Sequence, residues 1–143
     1  MNGPGLSPTV ARRPVLLLCL FAGLCDGLTG LLLVGAPGTT LKLMGVPAAG
    51  EPIWIRYIGV FVASIGAAYL YPWWSRRASA DGLAAVLEIT ALSRFAVTAF
   101  VTTAVVWGDL APGWTLVAVT DAAVASLQLF FLCRGTAPRG AST

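Results

Sequence analysis

The sequence predicts an all-α membrane protein, a four-transmembrane-helix antiparallel bundle with both termini cytoplasmic. Three observations predict it. First, 57% of the 143 residues are hydrophobic and only 10% are charged, and the mean hydropathy is +0.84. A soluble domain carries about 25% charged residues and needs them to coat its surface. Second, four apolar runs are each long enough to cross a hydrocarbon core of about 30 Å, which takes about 20 helical residues. Third, arginine and lysine gather on alternate sides of those runs. The composition excludes a disordered chain, a nucleic-acid arm and an ordinary soluble enzyme. The net charge of +3 serves membrane topology, so no nucleic-acid partner is expected.

Residues 1–13 form a tail rich in Gly, Pro, Ser and Thr that is expected to be mobile. The first helix is placed at Pro14–Gly35. Arg12 and Arg13 ahead of Val15–Leu18 imitate a signal peptide. The apolar run continues to Val34 without a convincing cleavage site, however, and Leu18 and Leu24 stand before Cys19 and Cys25, where a lipoprotein signal needs a small residue. A retained helix is therefore expected. The connection Ala36–Pro52 contains Pro37, Gly38, Gly45, Pro47 and Pro52, and its apolar middle, Thr40–Val46, predicts one or two helical turns at the outer interface.

The second helix is placed at Ile53–Trp74. The next connection, Trp73–Asp81, holds Arg76 and Arg77 and ends in Ser79 and Asp81, good N-cap residues for a third helix at Leu83–Trp107. Pro112 suits the start of the fourth, Gly113–Cys133. The membrane domain thus covers 14–134, and 135–143 form a second mobile tail. Each span must be helical, because lipid offers the backbone no hydrogen bonds and the runs lack the alternation of barrel strands.

Orientation follows from short-loop charges. Leaving aside Arg56, which lies just inside a helix, Arg12, Arg13, Arg76, Arg77, Arg134 and Arg139 fall on one side and Lys42 on the other. The arginine-rich side is cytoplasmic by the positive-inside rule. Trp54, Tyr57, Trp107 and Trp114 then lie at the outer interface, and Tyr71, Trp73 and Trp74 at the inner one, as anchoring rings do.

The chain has no histidine. This removes histidine-ligated haem, histidine zinc sites and every Ser-His or Cys-His nucleophile pair. Cys19, Cys25 and Cys133 form no CxxC pair and read as small apolar residues inside helices. No cofactor or metal is expected.

The informative residues are the ionisable ones within the spans: Asp26, Arg56, Glu88, Arg94 and Asp121. Each costs about 2.5–3.5 kcal/mol at mid-helix and should face partners in the bundle interior. At 1.5 Å per residue, Asp26 lies about 18 Å from the inner boundary, Arg94 about 17 Å and Asp121 about 18 Å. Three helices therefore place a charge at one depth, and the planar fork of Arg94 can bridge Asp26 and Asp121. Arg56 lies about 4 Å inside the outer boundary; it either snorkels or reaches inward to Asp26. Glu88, about 8 Å inside the inner boundary, would meet water or Arg76 and Arg77.

Small or polar stripes accompany the charges. Gly23, Asp26, Gly27 and Gly30 share a face of the first helix, and Arg56, Gly59, Ala63, Gly66 and Ala67 a face of the second. Thr90, Arg94 and Thr98 align on the third, with Ala118, Asp121, Ala125 and Gln128 on the fourth. Small residues let membrane helices approach closely.

The Arg56-x-x-Gly59 pair, Gly66, Tyr69, the Met44-Gly45-Val46-Pro47 stretch, Arg94 and Asp121 resemble a group of small bacterial four-helix membrane proteins that is loosely similar to the DoxX-like family. The resemblance covers about Leu16 to Leu132. It implies a four-helix bundle in the bacterial inner membrane. Some DoxX-like relatives are associated with redox or quinone-linked complexes, but no redox centre is visible here, so that activity is not carried over.

Four functions remain open. The first is a non-enzymatic module that binds lipid, a membrane protein partner or a second copy, organised by a buried network of Asp26, Arg56, Glu88, Arg94, Asp121, Tyr69 and Gln128. The second is a small-ligand site in which Arg94 and Arg56 read an acidic or carbonyl group and Tyr69 or Phe95 stacks on a quinone- or sterol-like body. The third is proton or ion transport through the carboxylates. An enzyme is the fourth, but Asp26, Glu88 and Asp121 show no DxxD or ExxE spacing, and the sequence assigns no catalytic residue.

Overall fold

The computed structural model describes residues 8–47, 50–74 and 80–133. All regular structure among them is helical. Helix α1 spans Pro8–Gly35, α2 Pro37–Leu43, α3 Pro52–Trp74, α4 Ala80–Trp107 and α5 Thr115–Cys133, with a 3-10 turn at Pro112–Trp114 leading into α5. Four helical stretches are long and apolar enough to cross a membrane: Arg13–Gly35, Pro52–Trp74, Gly82–Trp107 and Pro112–Cys133. The tail segments 1–7 and 134–143, Arg76, Arg77, Ser79, Arg134 and Arg139 lie outside the described residues.

Two helices start three or more residues ahead of the sequence expectation, and the starts of α3 and α5 lie within two residues of it. Helix α1 begins at Pro8 rather than Pro14, so residues 8–13 are helix and not tail. Pro14 is tolerated near the amino end, where its missing N–H forfeits one hydrogen bond, to the carbonyl of residue 10. Helix α4 begins at Ala80 rather than Leu83, which puts Asp81 inside the first turn and not at an N-cap. The short α2 supplies the turns expected between the first two spans.

Two glycines stop helices by the same device. Gly45 and Gly108 have φ of +68° and +83°, a left-handed conformation that glycine adopts without steric cost. After α2, the N–H of Gly45 donates to the Lys42 carbonyl and that of Val46 to Leu41. After α4, Gly108 donates to Val105 and Asp109 to Ala104. Both are Schellman caps that satisfy orphan carbonyls. The first brings Val46 onto Leu41, and with Leu33 they form a small buried cluster that also receives Trp114. Trp114 thus packs inward, whereas Trp54 and Trp107 are exposed.

The long helices pack as two pairs, α1 on α3 and α4 on α5, with much sparser backbone contact between α3 and α4. Glycine makes the first pair. A methyl group on Gly30 would stand 2.6 Å from the Gly59 carbonyl oxygen, and one on Gly66 would stand 2.8 Å from Gly27 Cα. Gly23 lies against Leu70 and Gly66. Position numbers rise along α1 as they fall along α3. The second pair shows the same reversed order, with Thr98 meeting Ala118 and Thr90 meeting Gln128. A further apolar cluster of Val15, Cys19, Ala22, Tyr69, Leu83 and Leu87 joins the two pairs.

The outward faces are apolar, with Phe21, Leu92 and Phe100 each about 70% exposed. Hydroxyls on these faces are satisfied within their own helix: Ser64 donates to Val60, Ser93 to Ile89 and Thr120 to Leu116. That back-bonding is how a hydroxyl is accommodated where no water is available. Cys25 and Cys133 are exposed and Cys19 is buried, all as free thiols.

Candidate functional site

Arg94 occupies the centre of α4 and is 7% exposed. Its guanidinium reaches all three other long helices. Nη2 donates to Asp26 on α1, Nη1 to Asp121 on α5, and Nε to the Tyr69 hydroxyl on α3 at 2.8 Å. The guanidinium also lies over the Tyr69 ring, 5.3 Å from its centre, a cation–π arrangement. Two carboxylates share one cation, each through a single ion pair. The Asp26 and Asp121 side chains keep 19% and 14% of their surface, against 8% for Arg94.

A second tier extends from this layer. Tyr69 is fully buried, and its hydroxyl also accepts a hydrogen bond from Gln128 Nε2 at 2.7 Å. The same nitrogen donates to Thr90 Oγ1 at 2.8 Å, and Thr90 in turn donates to the Val86 carbonyl at 2.6 Å. Gln128 is completely buried, yet its Oε1 has no hydrogen-bond partner. An unsatisfied buried acceptor costs free energy, and one in a folded protein calls for an explanation.

The local reasons are readable. On α1, the glycines around Asp26 bring its backbone against α3. On α5, Ala118 and Ala125 are buried three residues before and four after Asp121, so the carboxylate rides on a small-residue stripe that faces α4. On α4, Thr90 and Arg94 share one face, one turn apart.

The structure therefore brings together Asp26, Arg94, Asp121, Tyr69 and Gln128 and leaves out two of the expected residues. Arg56 is exposed and does not reach Asp26, whose partner is Arg94. The small stripe on α3 begins at Gly59, one turn deeper. Glu88 is also exposed and stands apart from the layer; Arg76 and Arg77, its expected neighbours, lie outside the described residues. Tyr69 is not an open stacking surface, because its ring lies under Arg94 and its hydroxyl is occupied. Thr90 is the member whose role spacing alone did not supply. Its place on the Arg94 face was visible in the sequence, but its bond to Gln128 was not.

Chemically, the layer gathers one guanidinium, two carboxylates, a phenol and a carboxamide. Among the described residues no group of three or more His, Cys, Asp or Glu is arranged to hold a metal ion. What it offers is directional polar contact between helices that have little backbone contact across the pairs. Compared with known proteins, the chain matches no family model, no curated protein and no solved structure.

Proposed function

We propose that this chain is a non-enzymatic multi-pass membrane protein that works as a binding module. The Arg94 layer fixes the register of an antiparallel bundle, and the outward apolar faces meet lipid or a membrane protein partner. The observation that carries this reading is that all three guanidinium nitrogens of Arg94 are engaged by residues of the three other long helices. An arginine whose nitrogens are already committed to the protein suits a fastener better than a receptor for an incoming acid. A buried polar group that specifies packing is the best-attested use of such networks.

We further assign both termini to the cytoplasmic side from the six arginines against Lys42. The bacterial inner membrane is proposed from the resemblance to small DoxX-like proteins. The test is Arg94→Lys. A compact ammonium cannot supply the planar fork, so membrane abundance and melting temperature should fall. Proteoliposomes of the parent should hold an imposed pH gradient. Dissipation that Asp26→Asn or Asp121→Asn abolishes would replace this reading with a proton relay.

A second reading has one observation in its favour. Gln128 Oε1 is buried without a partner, which leaves an acceptor for a small polar ligand or a water. A mass spectrum of the intact purified protein showing a copurifying small molecule, lost in Gln128→Met, would support it.

A further inference from the structure

Arg56 stands in the second turn of α3, four residues after Pro52, which is about 6 Å along the helix axis. It is exposed, and among the described residues no carboxylate lies within ion-pair distance of it. A cation held in apolar surroundings without a counter-charge is costly. Around it the surface is shaped. Ile53, Trp54, Arg56, Tyr57 and Val60, all on one flank of α3, border a shallow, open and apolar groove of about 360 Å³. One wall is an edge-to-face row, with Trp54 and Tyr57 ring centres 6.4 Å apart and Tyr57 and Phe61 4.8 Å apart. The row runs from the helix end toward the middle of the span, so the groove is apolar along its length and the Arg56 guanidinium stands beside it.

We propose that this groove binds a phospholipid with an anionic headgroup, the phosphate on Arg56 and an acyl chain along Tyr57, Val60 and Phe61. Charge complementarity selects that occupant. A guanidinium fork matches the oxygens of a phosphate, and a bilayer presents phosphates at the depth where a span ends, within reach of a snorkelling arginine. The aromatic row supplies the amphipathic wall typical of that depth. This site rests on the membrane reading above and names the lipid class that it would hold. It is independent of the Arg94 layer, which shares none of its residues.

The experiment is native mass spectrometry of the full chain in detergent, titrated separately with phosphatidylglycerol and phosphatidylcholine. The expected result is retention of one phosphatidylglycerol in preference to phosphatidylcholine. Arg56→Gln should weaken it about tenfold or more, the loss of one charge-assisted contact, and Arg56→Lys should retain part of it. The melting temperature should not move, because Arg56 touches nothing in the layer. Equal retention of phosphatidylglycerol by parent and Arg56→Gln overturns the proposal. So does a dimer that Arg56→Gln dissociates without any change in lipid, which would give the groove to a second copy. Either outcome leaves the Arg94→Lys test of the bundle untouched, so the two readings fail separately.

Discussion

The seam between α1 and α3 and the layer around Arg94 hold helices together by opposite means. At the seam almost no side chain intervenes: Gly30 faces Gly59 and Ala63, and Gly66 faces Gly27. At the layer long side chains span the sparse contact between the two pairs, from α4 to α1 and α3, and the same arginine also bonds Asp121 on α5, the close partner of α4. In lipid, apolar surface gives little drive for one helix to choose another, so association rests on close packing and hydrogen bonds. This molecule uses one of these in each place. The seam therefore senses volume, and a single methyl group matters there. The layer senses chemistry, and a change of donor geometry at constant charge matters there.

Substitutions can break this contrast or sharpen it. The largest effect is expected for Arg94→Leu, which strands Asp26 and Asp121 without a cation. Breaking a buried pair in this way costs about 3–5 kcal/mol, so little folded protein should survive purification, as read by thermal unfolding followed by circular dichroism. Next comes Gly30→Ala, whose new methyl would meet the Gly59 carbonyl at 2.6 Å. Overpacking costs about 1–3 kcal/mol, and the melting temperature should drop while the Arg94 layer stays intact. Tyr69→Phe removes the acceptor used by both Arg94 and Gln128. Interhelical hydrogen bonds in membranes average about 0.6 kcal/mol each, so a loss of about 1 kcal/mol is expected from the same melt. The smallest effect belongs to Gly27→Ala. A methyl there meets nothing within 4 Å, and stability should stay within about 0.5 kcal/mol of the parent. A Gly27→Ala loss as large as that of Gly30→Ala would mean that the seam is not packed as described.

Much of this was legible because helix rise is fixed. Depth along a span can be counted, and the count puts Asp26, Arg94 and Asp121 at one level. The glycine and alanine stripes gave the faces. What counting could not give is direction at a helix end. Arg56 has the periodicity of the Gly59–Gly66 face, but near the membrane surface a long side chain reaches a polar phase without turning inward, so spacing does not decide its orientation. Depth also says nothing about lateral arrangement, so the division into two pairs was hidden. The apolar run starts only after Arg12 and Arg13, so hydropathy set the helix start at Pro14 and gave no sign of the helical turns from Pro8. Tyr69 was visible as a candidate, but a phenol can stack or accept, and only its position under Arg94 distinguishes the two.

Two aspartates on different helices share one arginine. The most direct test is a thermal-melt comparison of Asp26→Asn, Asp121→Asn and the double substitution in one detergent. With one carboxylate left for Arg94, each single variant should stay within about 1 kcal/mol of the parent. The double variant leaves a buried guanidinium with no counter-ion, and its loss should far exceed the sum of the two. Single effects that are small and simply additive in the double variant would contradict a shared arginine.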